Sequence, residues 1–146
     1  MKNKLIIYTD AGYQIKAKKM FGPIFAAYVK KDEAGIEYFQ HVFNEEPLSS
    51  CHAEYYGLLF ALQNLAEYRY GRVTILSDNQ TMVRQMQGRY GVHKKELGRL
   101  KRLCDTVWLL AVIKGNIINI RHTPRKYNLA DKFVQELKKQ HLGSKK

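Results

Sequence analysis

Cysteine is scarce in this chain, two among 146 residues, as are proline, with three, and tryptophan, with one. Cys51 and Cys104 are too few for a disulfide framework and lack metal-ligand spacing, so a reducing, intracellular setting is the default. No Pro/Gly/Ser linker, low-complexity tract or repeat divides the chain. It reads as one domain over 1–142, followed by a short basic tail at 143–146. Long apolar runs are missing as well. The stretch after Lys4 is too short for a signal peptide, and nothing approaches the roughly 20 apolar residues of a membrane-spanning helix. The expectation is a cytoplasmic protein with no membrane partner, and its size suggests a monomer. Negative charge is also in short supply: 13 Asp+Glu face 25 Lys+Arg, a formal net charge of +12. That excess favours a polyanionic partner, nucleic acid before membrane. No glycine-rich phosphate loop of the Walker or dinucleotide kind is present, so a nucleotide-binding domain ranks last among the function classes.

What is there begins with short alternating and apolar segments. Residues 4–10, 21–29 and 35–43 read as strands, and their short connections predict an antiparallel meander. Residues 51–68 read as a helix with Leu58, Ala61, Leu62 and Leu65 on one face. A strand at 72–78, a short helix at 79–86, a longer helix at 94–113, a strand at 116–122 and a closing helix at 128–140 follow. The order β-β-β-α-β-α-α-β-α predicts an α/β fold, a mixed sheet with helical crossovers. Trp108, with Leu109, Leu110 and Val112, is expected in the core, as are most of the tyrosines at 55, 56, 68 and 70.

Four carboxylates stand in unusual places. Asp10 ends the first apolar run, and a small residue after it leaves room for a phosphate. Glu54 lies four and seven residues before Leu58 and Ala61, which sets it on or beside the inward helix stripe, a costly place for an uncompensated charge. Asp78 closes a strand just before a helix, where capping is the ordinary role. Asp131 follows Asn128 as an acidic first-turn residue follows an N-cap. Each has a local explanation. Together, at one edge of a sheet, four such groups require cations, and hard divalent ions with oxygen ligands fit, Mg²⁺ above all. Two such ions about 4 Å apart suit phosphodiester cleavage.

At these residues the sequence resembles type 1 ribonuclease H across nearly its whole length. "YTDAG", "HAEYYGLLFAL", "ILSDNQTMV" and "RHTPRKYNLADKF" are similar, in order, to that family's four acidic motifs. The resemblance implies a ribonuclease H-like fold: a five-stranded mixed sheet, its first three strands antiparallel, flanked by helices. It implies cleavage of the RNA strand of RNA/DNA hybrids, leaving a 3′-hydroxyl and a 5′-phosphate. Asp10, Glu54, Asp78 and Asp131 would then hold two Mg²⁺ ions, with Mn²⁺ a substitute. Gln80 matches a glutamine that reads the minor groove, and Ser49 the hydroxyl of a DNA-phosphate pocket. Only the 2′-hydroxyl separates RNA from DNA, and a hybrid's wide minor groove exposes it.

The departures are specific. Ser50 and Cys51 stand where the family usually has an asparagine near the 2′-hydroxyl, which weakens the expected discrimination between RNA and DNA. A glycine-rich loop is replaced by "YQIKAKKMFG", so Lys16, Lys18 and Lys19, with Gly12, become substrate-contact candidates. His122 and Arg125 are the nearest counterparts of a mobile catalytic histidine, whereas His52 reads as a local structural or substrate-contact residue. The basic run 89–103, including Lys94 and Lys95, is a candidate duplex contact whose phosphate pairing would be salt-dependent. Two alternatives stay open: a nuclease of the same fold acting on double-stranded RNA or a mobile-element duplex, and a non-catalytic nucleic-acid binding module.

Overall fold

The computed structural model describes residues 4–143. Strands β1 (Lys4–Lys16), β2 (Lys19–Asp32) and β3 (Gly35–Phe43) precede helix α1 (Ser50–Glu67). Strand β4 (Arg72–Ser77), helices α2 (Gln80–Met86) and α3 (Lys95–Lys114), strand β5 (Ile117–His122) and helix α4 (Asp131–Gly143) complete the order. The sheet runs β3-β2-β1-β4-β5. Its first three strands form the expected antiparallel meander, and β4 and β5 lie parallel to β1 and to each other. The expected basic tail lies outside the described residues, apart from Gly143, which ends α4.

The sheet is buried on both faces by different helices. On one face Leu5, Ile7, Val73 and Ile75 meet Leu58, Leu62 and Leu65 of α1. On the other, Phe25, Ala27 and Val29 meet Ala130, Phe133 and Val134, the last two on α4. Helix α3 forms an outer layer, lying chiefly against α1. It runs in the same direction as α1: Cys104 Sγ donates to Tyr55 O at 3.6 Å, and Asn116, just past α3, donates to Leu65 O at 2.7 Å.

Two expectations need correction. Strand β1 does not stop at Asp10. It continues to Lys16 and returns through a two-residue turn at Ala17 and Lys18, whose φ values of 52° and 64° are both left-handed. What stops near Asp10 is the pairing with β4, whose last partner on β1 is Tyr8, while pairing with β2 runs on through Asp10 and Ala27. The sequence signal was therefore read as a strand end when only one edge of the strand had ended. The second correction concerns α3. Trp108 and Val107 pack on the core, but Leu109, Leu110 and Val112 face outward with Ile113. An outer-layer helix buries one face only, so an apolar run all round its axis leaves part of itself uncovered. Among the tyrosines Tyr55 is fully buried, Tyr56 and Tyr70 are partly so, and Tyr68 is exposed.

Candidate functional site

Parallel strands end in the same direction, so Asp10 on β1 and Asp78, one residue past β4, come side by side. Helix α1 brings the third carboxylate. Gly57 lies against β1 so closely that a Cβ there would stand 2.8 Å from the carbonyl oxygen of Asp10. That contact lowers Glu54, one turn earlier, onto the same spot. Asp10, Glu54 and Asp78 each offer a carboxylate oxygen within 4.8 Å of the other two.

The electrostatics of this cluster are those of a site awaiting positive charge. Burial, with Asp78 beside it, pushes the Asp10 carboxyl up to about 7, and Glu54 is close enough to share a proton with it. Burial and then the Asp10 and Asp78 charges hold Glu54 well above the usual carboxylate range. Asp78 is raised chiefly by burial, an effect opposed by a hydrogen bond from Asn128 and by the charges of Arg125 and His122. Glu54 Oε1 is buried with no hydrogen-bond partner among the described residues, a state that costs free energy unless another group completes it. A hard cation accepting three carboxylate oxygens satisfies the orphan oxygen and the like charges at once. The donor set fits a divalent ion.

Asp131 is not in that cluster. It opens α4 near enough to raise the Asp10 carboxyl, and its Oδ1 accepts from Arg125 Nη2 at 3.4 Å. Arg125 sits in a short 3-10 turn, Arg125–Tyr127, between β5 and α4. His122 ends β5 opposite Ser77, next to Asp78, and is exposed.

The cap roles fall differently from the sequence reading. Asn79, not Asp78, caps α2, its Oδ1 accepting from Met82 N at 2.9 Å, which leaves the Asp78 carboxylate free. Asn128 does not cap α4, which begins only at Asp131, three residues later. Its buried amide donates to Thr9 O at 2.9 Å and to Asp78 Oδ2 at 3.1 Å, while its oxygen accepts from Ala130 N at 3.0 Å. One side chain thus ties the residue before Asp10, the carboxylate of Asp78 and the residue before Asp131. Sequence reasoning missed this role and that of Gly57, whose only signal was a glycine three residues after Glu54.

The expected substrate contacts are spread around the cluster. Gly12 leaves room for protein rather than phosphate, because a Cβ there would stand 2.8 Å from Val134 Cγ1 of α4. Ser49 caps α1 by accepting from His52 N at 3.0 Å, Ser50 is exposed beside it, and Gln80 is exposed at the start of α2. Cys51 turns toward α2, donating to Gln85 Oε1 at 3.6 Å, and burial pushes its thiol up to about 11. His52 is local and structural: its Nδ1 accepts from Leu48 N at 3.2 Å. Lys16, Lys18 and Lys19 are exposed at the tip of the β1–β2 hairpin. Lys94 and Lys95 are exposed at the N-terminus of α3, at the same end of the molecule as the start of α1, where Glu96 and Arg99 share a groove with His52.

Comparison with known proteins agrees with this fold. A family model described as reverse transcriptase-like matches residues 31–137. The structure of LC11-RNase H1, isolated from compost by a metagenomic approach, superposes with a TM-score of 0.78 at 30% identity, covering 96% of this chain and 99% of that one. The crystal structure of LC11-RNase H1 in complex with RNA/DNA hybrid gives a TM-score of 0.74 at 27% identity, over 90% and 94% of the two chains. RNase H1 from the halophilic archaeon Halobacterium salinarum shares the fold, with a TM-score of 0.75 at 20% identity over 91% and 96%. No curated protein sequence matches the chain. Matched by the family model over most of its length and by LC11-RNase H1 over nearly all of it, the chain belongs to the ribonuclease H-like family, with a type 1 ribonuclease H domain.

Proposed function

We propose that this chain is a divalent-metal-dependent endonuclease that hydrolyses the RNA strand of RNA/DNA hybrids, leaving 3′-hydroxyl and 5′-phosphate ends. The observation that carries the reading is the buried cluster of Asp10, Glu54 and Asp78 around the partnerless oxygen of Glu54. The likeness to a nuclease held in a complex with RNA/DNA hybrid supports the substrate class. Asp10, Glu54 and Asp78, with Asp131 turned inward, would hold Mg²⁺ or Mn²⁺. Two such ions supply an activated water and stabilise the leaving oxygen.

The chain's own residues do the rest. Asp10 and Glu54 release the proton they share as the cations are taken up, so metal affinity rises with pH. Asn128 keeps the Asp78 carboxylate turned toward the cluster. His122, exposed next to Asp78, would pass a proton to the departing strand, and Arg125 would hold its phosphate. Lys18, Lys19, Lys94 and Lys95 contact phosphates on either side, and Gln80, Ser49 and Ser50 line the approach of the duplex. Affinity then falls steeply with salt. Cys51 favours a second, broader reading: facing Gln85, it offers nothing to a 2′-hydroxyl, so discrimination between RNA and DNA is weaker and duplexes other than the hybrid become additional substrates.

The test uses hybrid, double-stranded RNA and double-stranded DNA, each labelled, with Mg²⁺, with EDTA, and with the Glu54→Gln variant. Metal-dependent cuts in the RNA strand of the hybrid, lost in Glu54→Gln, are expected. Cuts in either of the other duplexes as well select the broader reading. Binding without cleavage in any divalent metal overturns the enzyme and leaves a binding module.

A further inference from the structure

Residues 107–113 of α3 are apolar all round the helix, and only one side is covered. Leu109 is 58% exposed, Leu110 50%, Val112 44% and Ile113 72%, with Leu103 at 47% two turns earlier. Their spacings of three, four and seven residues make them neighbours along the helix surface, so they form one ridge. The exposed aliphatic area is on the order of 450 Å², within the range of the largest patch on a typical monomer, which is often functional. Leu103 lines the groove with His52 toward the other end of α3, whereas Leu109 to Ile113, the C-terminal part of the ridge, lie far from the carboxylates. Because α3 runs alongside α1, this end of it adjoins Leu65 and Tyr68 rather than Glu54, and Glu54 to Leu65 spans about 16 Å of helix. Something bound there leaves the nuclease site open.

Charge and size identify what fits. Arg102 flanks the ridge on its N-terminal side and Lys114 on its C-terminal side, both exposed, while Arg99 shares its groove with Glu45, Glu46 and Glu96. The Arg69 side chain lies over Gly115 at the helix end. The acidic residue on this stretch, Asp105, is paired with Lys101 at 2.8 Å. A second copy of the chain would bring the same cations against these, and the ridge is well short of the roughly 800 Å² per partner that a stable dimer buries. A single amphipathic helix of three or four turns matches the area, and glutamates or aspartates beside its apolar stripe match the cations.

We propose that the outer ridge of α3, Leu109 to Ile113, is a docking surface for an acidic amphipathic helix of a partner protein, which tethers the domain without covering its nuclease site. The surface is independent of the hydrolytic reading, because no carboxylate of the cluster takes part.

Trp108, the single tryptophan, is partly buried next to Leu109 and reports on this surface directly. The probe is a synthetic helical peptide of about five turns with leucines at i, i+3, i+4 and i+7 and glutamates flanking them. The control replaces each glutamate by lysine. Titration should shift Trp108 emission saturably with the glutamate peptide and not with the lysine peptide. Leu109→Gln with Ile113→Gln, both at exposed positions, should weaken binding by at least about tenfold while hybrid cleavage is unchanged. Arg102→Glu with Lys114→Glu, which alters no apolar residue, should reverse the preference between the two peptides. Equal binding of both peptides, no saturable binding, or full binding by the glutamine variant overturns the proposal. Self-association in sedimentation that the glutamine variant abolishes also overturns it, by making a second copy the occupant.

Discussion

Replacing Asp10 by asparagine should make the metal-free protein more stable, and by an amount that depends on pH. Burial and the neighbouring Asp78 charge push the Asp10 carboxyl from 3.8 up to about 7. At about 1.36 kcal/mol per unit, ionising it inside the folded chain costs about 4 kcal/mol more than in the unfolded chain. Between those two values the folded chain holds a proton that the unfolded chain has released. The stability supplied by protonated Asp10 is therefore complete below about pH 4, declines as the pH rises, and is gone above about pH 7. Asparagine keeps the shape and never ionises. In EDTA, Asp10→Asn should match the wild type near pH 4 and exceed it by about 2–4 kcal/mol at pH 8, or about 4–16 °C in Tm. Mg²⁺ should stabilise the wild type at pH 8 and leave the variant unmoved, since a ligand that binds only the folded state raises its stability. Urea unfolding followed through Trp108, from pH 4 to pH 8 with and without Mg²⁺, measures all of this. A gain that does not change with pH, or a variant less stable than the wild type at pH 8, would refute the account of a cluster strained by its own charge.

Other residues give further outcomes. Asn128→Ala removes three hydrogen bonds from a buried position and frees the Asp78 carboxylate, so it should cost about 2–4 kcal/mol in urea unfolding and weaken Mn²⁺ binding by calorimetry. Gly57→Ala forces a Cβ against the Asp10 carbonyl, which should cost about 1–3 kcal/mol and lower hybrid cleavage by lifting Glu54 from Asp10. Replacing Ala17 and Lys18 by Asn-Gly relieves two left-handed residues at the hairpin tip and should stabilise the fold by about 1 kcal/mol in thermal unfolding. The same change should lower the salt sensitivity of hybrid binding, because one of the lysines proposed to contact phosphate is gone.

The element order and the antiparallel meander were legible because apolar and alternating segments in β1, β2 and β3 are separated by short turns, and because the helices alternate with β4 and β5. The cluster was legible too, since a carboxylate at a strand end or on an inward helix face violates local preference visibly. The rest was hidden for physical reasons. Asp10 looked like a strand end because a sequence does not say which edge of a strand loses its partner. Asn79 and Asp78 are both good caps, and only the backbone geometry of the β4–α2 turn decides which side chain is used. The bonds of Asn128 to Thr9 and Asp78 span 119 and 50 residues, which no local pattern encodes. Gly12 and Gly57 each concern how closely a helix approaches a strand, a distance fixed by tertiary packing.

Those two glycines also explain why the fourth carboxylate stands apart from the other three. Strand β1 has antiparallel β2 on one edge and parallel β4 on the other, so the β1–β4 pair opens where the sheet changes from antiparallel to parallel, the kind of crevice in which α/β sheets bind ligands. Gly57 lets α1 descend on one side of β1 at Asp10, and Gly12 admits Val134 of α4 beyond it. Glu54 lies one turn before Gly57 and reaches Asp10, whereas Asp131 is the first residue of α4, three before Val134, with Arg125 holding its carboxylate. Such an exposed pair is worth at most about 1 kcal/mol. Asp131 is therefore held lightly, within reach of the charges on Asp10 and Asp78, and a cation held by the cluster would outweigh Arg125 in the competition for it.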